Sequence, residues 1–259
     1  MKAAVLGFAA GTRWLARGWR LFRVAPLAWL ALVVAYLFAM LIINLVPLVG
    51  PVASLVLIPG LSVGFMAAAR SCERGQAPQL PQLFEPLRDH PRELLALGAG
   101  YALAIAVVLA ASALADGGAL ARWLVTGRSP PAEVLGTDAF LAALVAAGAL
   151  YVPVLMLWWY APVLCAWHRT PPARALFYSF FACLLNWRAF FGYGAALALV
   201  TIAVPSAVLT ALALVAGEAG RAHIGPLVFG VVILVMPTLL ASFYASYRDV
   251  FGAAEAGAA

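Results

Sequence analysis

The stretch from Pro59 to Arg70, P-G-L-S-V-G-F-M-A-A-A-R, decides how the chain is read. It is the second half of an apolar segment and ends on the first basic residue after it. A close copy, P-T-L-L-A-S-F-Y-A-S-Y-R, returns 178 positions later from Pro237 to Arg248. Leu61, Phe65, Ala67 and Arg70 recur as Leu239, Phe243, Ala245 and Arg248. Gly60, Gly64 and Ala68 fall on Thr238, Ser242 and Ser246, so both copies carry a small residue at every fourth position. On a helix that spacing makes a ridge on which another backbone approaches closely. Pro59 and Pro237 open the two copies, and Pro153 heads a weaker third with Leu155, Trp159 and Ala161. A proline inside a helix removes a backbone hydrogen bond, so all three are expected as helix breaks.

Composition names the solvent. Hydrophobic residues make up 66% of the chain and charged ones 10%, with mean hydropathy +1.01. A soluble domain of 259 residues has too little interior to hide that surface, so lipid must cover much of it. A helix needs about 20 apolar residues to cross a hydrocarbon core. Six runs meet this, at 26–47, 51–69, 94–115, 139–160, 189–215 and 225–247. The expected fold is therefore all-α, one six-span membrane domain over 1–251, with a disordered Ala/Gly tail at 252–259. The few apolar residues after Lys2 are interrupted at Arg13 with no small-residue cleavage site, so no cleaved leader is expected.

Two further helices are expected in the membrane interface. Over 8–25, Arg13, Arg17 and Arg20 share one face, with Phe8, Trp14, Leu15, Trp19 and Phe22 opposite. That pattern describes a helix lying on anionic lipid headgroups. Over 171–187, Ala175, Ser179, Ala182, Cys183 and Asn186 form a small, mildly polar face beside Phe177, Phe180, Phe181 and Leu184. Residues 80–87 form a short surface helix docked through Leu83, Phe84 and Leu87, and Asp116–Asp138 reads as a loop. Trp158, Trp159 and Tyr160 read as interfacial aromatics. The recurring unit is an interfacial helix, a span, a turn and a proline-bearing return span. It covers 8–70 and 171–248 clearly, and 80–164 faintly. All copies start on the same side, so the hairpin repeats are parallel.

Charge sets the orientation. With six spans, thirteen of the sixteen basic residues fall on the side of the termini, against Arg122, Arg128 and Arg221 on the other. The positive-inside rule then makes both termini cytoplasmic, and it explains the formal charge of +6 better than nucleic-acid binding does. Cys72, Cys165 and Cys183 fall on the reducing side, which suits an odd number of thiols.

Trp159-Tyr-Ala-Pro-Val-Leu164 is followed by Pro172, Ala175-Leu176, Ser179-Phe180, Ala182-Cys183 and Asn186. With Arg13-Trp14-Leu15, Trp19 and Phe22 near the start and Ser246-Tyr-Arg-Asp-Val-Phe251 near the end, this resembles an uncharacterised family of six-span bacterial inner-membrane proteins. More distantly, it is similar to the membrane region of some glycerophosphodiester phosphodiesterases. No such catalytic domain is present, so that activity is not implied. The resemblance implies topology and an inner-membrane location, with no catalytic residues to transfer.

The six runs contain no Asp, Glu, Lys, Arg or His, which disfavours a proton relay. Asn44 is the most polar residue within them and is expected to bond helix to helix. His90, His168 and His223 are scattered, and the serines lack an acid–base set. No catalytic, cofactor or metal site is expected. The leading expectation is a non-enzymatic membrane interaction or organising protein, held against the bilayer and its anionic headgroups, with a membrane protein as the other partner class. The alternative is a carrier or channel for a neutral or amphiphilic small molecule, sited where the prolines free backbone carbonyls.

Overall fold

Apolar runs of 19 residues or more, punctuated by Pro and Gly, dictate helices whose backbone polar groups are satisfied internally. The computed structural model describes residues 3–47, 49–203, 205–207, 210 and 224–256, and is helical with no strand among them. Helix α1 is Phe8–Val24, α2 Pro26–Asn44 and α3 Val49–Glu73. A 3-10 turn, Leu80–Leu83, leads to α4, Glu85–Asp89. Next come α5 Pro91–Asp116, α6 Ala119–Thr126, α7 Ala132–Leu135, α8 Asp138–Trp158 and α9 Ala161–His168. Then follow α10 Pro172–Leu185, α11 Trp187–Ala198 with a π turn at Leu199–Ala203, and α12 Ile224–Ala256.

Among the described residues, five segments are long and apolar enough to cross a membrane: Pro26–Asn44, Val49–Glu73, Pro91–Asp116, Asp138–His168 and Trp187–Ala207. They match the first five expected spans, although part of the fifth, 204, 208–209 and 211–215, lies outside the described residues. The sixth, 225–247, falls within α12. That helix runs to Ala256, into the segment expected as a disordered tail, because alanine is the best helix former. Residues 257–259 lie outside the described residues.

Several expectations need correction. Asp116–Asp138 is not all loop, because α6 forms within it. Gly117 and Gly118 turn the chain in left-handed conformations, and the Asp116 carboxylate accepts from Gly118 N at 2.8 Å and Leu120 N at 2.7 Å. Ala119 and Leu120 then pack on Phe140 and Ala143 of α8. Tyr160 is fully buried and belongs to the core rather than to an interfacial belt. Phe84 is exposed, so the 80–89 segment docks through Leu83 and Leu87. None of Pro59, Pro153 or Pro237 ends its helix; each lies inside a continuous one. Loss of one backbone bond is tolerated where the turns on either side are held by their neighbours.

The chain divides into two compact units. One comprises Met1–Ala39, Ser62–Glu85 and Ala182–Ala259; the other comprises Met40–Leu61 and Pro86–Phe181. In the first, α1 packs on α11 and α12. A Cβ at Gly11 would overlap the backbone of Ala189 and Tyr193, one at Gly18 that of Thr238 and Ser242, and one at Gly192 that of Phe8. Glycine at these places lets backbone meet backbone. The Pro59–Arg70 ridge is used in the same way, since a Cβ at Gly64 would overlap the backbone of Leu83. Ala68 is buried beside it in the sequence of the ridge. Trp29 stacks on Phe65 at 6.5 Å, joining the start of α2 to the second half of α3.

In the second unit, Gly98 lies against the backbone of Val56, and a Cβ at Gly60 would overlap the Leu87 side chain. Asn44 Nδ2 donates to Ser54 Oγ at 2.7 Å and to Met40 O at 2.8 Å, the helix-to-helix bond expected of it. Helices α5 and α8 pack together, with Trp158 Nε1 donating to Leu97 O at 2.9 Å.

Gly64→Leu and Ser242→Leu should each lower the thermal unfolding midpoint in detergent, at a cost of about 1–3 kcal/mol from overpacking. Gly194→Ala should be neutral or stabilising, because a Cβ there meets nothing within 4 Å. Silence at both Gly64 and Ser242 would refute the close-contact ridges.

Candidate functional site

The end of α1 carries a heptad of alternating character, Arg17, Gly18, Trp19, Arg20, Leu21, Phe22, Arg23. With Gly18 pressed on α12, the helix is fixed in rotation, and this determines which arginine faces what. Trp14 is fully buried, and its Nε1 donates to Asp249 Oδ2 at 3.0 Å. Arg17, one turn on by i, i+3 spacing, forms an ion pair with Asp249 Oδ1. Asp249 is thus held by both the buried and the basic edges of α1.

Beside this pair, a cavity of about 510 Å³ opens, lined by Arg17, Arg20, Leu21, Tyr244, Glu73 and Arg248 among others. Tyr244 donates its hydroxyl to Glu73 Oε2, and Arg248 lies 3.7 Å from the same carboxylate oxygen. Each carboxylate on the cavity wall therefore faces an arginine. Arg20 is exposed and has no ion-pair partner among the described residues. Glu73 is the last residue of α3, and Pro26 opens α2 shortly after Val24, another lining residue. The cavity thus sits at the end of the α2–α3 pair that holds the start of α2 and the last residue of α3.

The arginines expected on headgroups divide accordingly. Arg13 and Arg20 are exposed, whereas Arg17 is half-buried and turned to Asp249. Thr238 and Ser242 form the seat of Gly18, and Ser246 caps its own turn by donating to Phe243 O at 2.8 Å. Ser242 and Tyr193 share a hydroxyl–hydroxyl bond of 2.7 Å. Pro59 and Pro237 are buried and Pro153 is exposed, so the three prolines do not share one environment. The sequence alone assigns Glu73, Tyr244 and Asp249 no role in a site. The signal was there in Tyr247-Arg248-Asp249, an acid placed directly after the arginine that closes the repeat.

On the expected polar face of α10 and its end, every member from Ala175 to Asn186 is buried. Ser179 Oγ accepts from Tyr160 N at 2.9 Å and donates to Met156 O at 2.7 Å. Asn186 accepts from Leu6 N and donates to Ala4 O, both at 2.8 Å, pinning the extended N-terminal residues. Cys72, Cys165 and Cys183 are buried and form no disulfide.

A second cavity, about 560 Å³ and mostly apolar, is lined by Thr12, Leu15, Trp19, Val200, Val235 and Thr238 among others. The Thr238 hydroxyl is buried with no hydrogen-bond partner among the described residues.

Asp249→Ala should destabilise the protein by about 1–3 kcal/mol, because it strips acceptors from buried Trp14 and from Arg17 at once. Arg17→Ala should cost less, since its side chain is 40% exposed and the pair is screened by solvent. Chemical unfolding of both variants checks the order.

No family model and no solved structure matches the chain. A protein of Burkholderia thailandensis, named a probable inner membrane protein, is 42% identical over 258 residues, covering 96% of this chain and 93% of that one. With helices long enough to cross a bilayer several times, the chain is a multi-pass bacterial inner membrane protein and belongs to the family of that Burkholderia protein.

Proposed function

We propose that the protein is a non-enzymatic interaction or organising protein of the inner membrane, displaying the basic edge of α1 to anionic lipid at a fixed place in the bundle. The observation that carries this reading is the seating of α1. Gly11 and Gly18 lock the helix on α11 and α12, while Arg13, Trp19, Arg20 and Arg23 stay exposed. A basic edge beside an exposed tryptophan suits the headgroup layer. A membrane protein that shares the annular lipid or the bundle surface is the partner class that goes with it.

The finer topology belongs to the same reading. Helix α12, with 33 residues, is about 50 Å long at 1.5 Å per residue and serves as the sixth span. Both termini are cytoplasmic by the charge bias. Three contacts support parallel repeats. The 80–89 segment rests on α3 at Gly60 and Gly64, α10 on the end of α8 through Ser179, and α1 on α12 at Gly18. In each, an interfacial helix sits on the return span of the preceding repeat, the first resting on the last. The distant likeness to the membrane region of glycerophosphodiester phosphodiesterases is part of this reading too, without their activity.

The alternative, a carrier or channel for a neutral or amphiphilic molecule, is favoured by the apolar cavity beside α1. It adjoins Pro237 in sequence through Val235 and Thr238, and Thr238 offers a buried hydroxyl that lacks a partner among the described residues.

Native mass spectrometry of the full chain from mild detergent separates the two. Reproducible retention of a protein partner supports the organiser; retention of one small neutral solute supports the carrier. Retention of neither a protein nor a lipid would sink the organiser. For topology, an impermeant maleimide on spheroplasts should label Ser129→Cys and should label Gln76→Cys only after permeabilisation, both positions being exposed. The reverse pattern would overturn the orientation.

A further inference from the structure

We infer that the cavity between α1, the end of α3 and α12 binds a phosphate group, with Arg20 and the uncommitted N–H groups of Arg17 as its donors. This rests on the reading of α1 as a lipid-facing basic helix and gives that helix one defined site. The first support is charge. On the cavity wall, Asp249 is matched by Arg17 and Glu73 by Arg248, which leaves Arg20 as positive charge in excess.

The second support is preorganisation. Arginine carries five N–H donors in a planar fork suited to phosphate oxygens. The hydrogen bond to Asp249 uses one nitrogen of Arg17 and fixes the direction of the guanidinium, while the side chain remains 40% exposed. Arg20 follows at i, i+3 on the same helix, and both line the same cavity. A fixed arginine next to an unpaired one loses less side-chain entropy on binding than two free ones.

The third support is shape. At about 510 Å³ the cavity is within the range of small-molecule sites. Leu21 and Val24 are apolar residues of the cavity wall, and Val24 comes two residues before Pro26, which opens a helix long and apolar enough to cross a membrane. A phosphate that bears acyl chains can therefore leave them along these two side chains in the hydrocarbon, which points to a phospholipid headgroup. A soluble phosphate compound shares the chemistry at the arginines without using the two apolar residues.

The test titrates delipidated, full-length protein in detergent with short-chain phosphatidylglycerol, short-chain phosphatidylethanolamine, a phosphate-free glycolipid of equal chain length, and inorganic phosphate, read by native mass spectrometry and thermal shift. The phosphate-bearing lipids should bind and the glycolipid should not. Arg20→Gln should weaken phospholipid binding about tenfold, the loss expected of one charge-assisted contact. Arg13→Gln, exposed on the same helix but absent from the cavity wall, should leave it unchanged. Inorganic phosphate that binds with the same Arg20 dependence supports the site and assigns it to soluble phosphate compounds.

Equal weakening by Arg13→Gln and Arg20→Gln would mean diffuse attraction to the helix, and would overturn the site. So would an unchanged affinity in Arg20→Gln with the unfolding midpoint preserved. A protein that fails here yet retains a protein partner keeps its organising role and loses only this site.

Discussion

Close approach of backbones at small residues is the constraint on which the structure depends. Between apolar helices in lipid, the hydrophobic effect gives little preference for one neighbour over another, so packing and polar contacts must hold them. Gly11, Gly18 and Gly192 remove the Cβ atoms that would otherwise hold α1, α11 and α12 apart. Once α1 is seated, its rotation is no longer free. Trp14 is buried, Arg17 meets Asp249, and Arg20 is left facing a cavity. The site is a consequence of the packing.

The polar side chains of the bundle serve mostly as fasteners. Asn186 takes three hydrogen bonds with backbone groups of its own turn and the N-terminal residues, so an otherwise unstructured beginning of the chain is tied down. Ser179 bridges the turn after α8, Tyr193 meets Ser242 across two helices, and Asn44 closes the first hairpin through Ser54. These four side chains find their partners near a helix end or a crossing, where an unmade bond would be costly. Thr238 departs from this pattern and lies at an apolar cavity, which is why that region supports a second reading of function.

Much of this was legible before any coordinates. Run lengths and hydropathy determined the long apolar helices, five of them long enough to cross a membrane among the described residues, because a bilayer demands about 20 apolar residues whatever the neighbours are. The spacing of Gly60, Gly64 and Ala68 marked a contact ridge, and the small face from Ala175 to Asn186 marked a buried one, since helical periodicity alone decides which residues share a side. Asn44 was read as a helix-to-helix donor because few other roles exist for an amide in hydrocarbon.

What covers each ridge was decided only by the tertiary structure. Periodicity says that Gly64 and Ser242 face something close, and it does not say that one meets the 80–89 segment and the other α1. It placed Arg13, Arg17 and Arg20 on one face, although the fold gives Arg17 to Asp249, 232 positions away, and leaves Arg20 to the cavity. Residues so distant are brought together by how helices seat on one another, and that depends on shape at the contact rather than on any local pattern. The helix at Ala119–Thr126 was missed for the same reason, as its apolar face is short and is worth burying only because Phe140 and Ala143 are there to receive it.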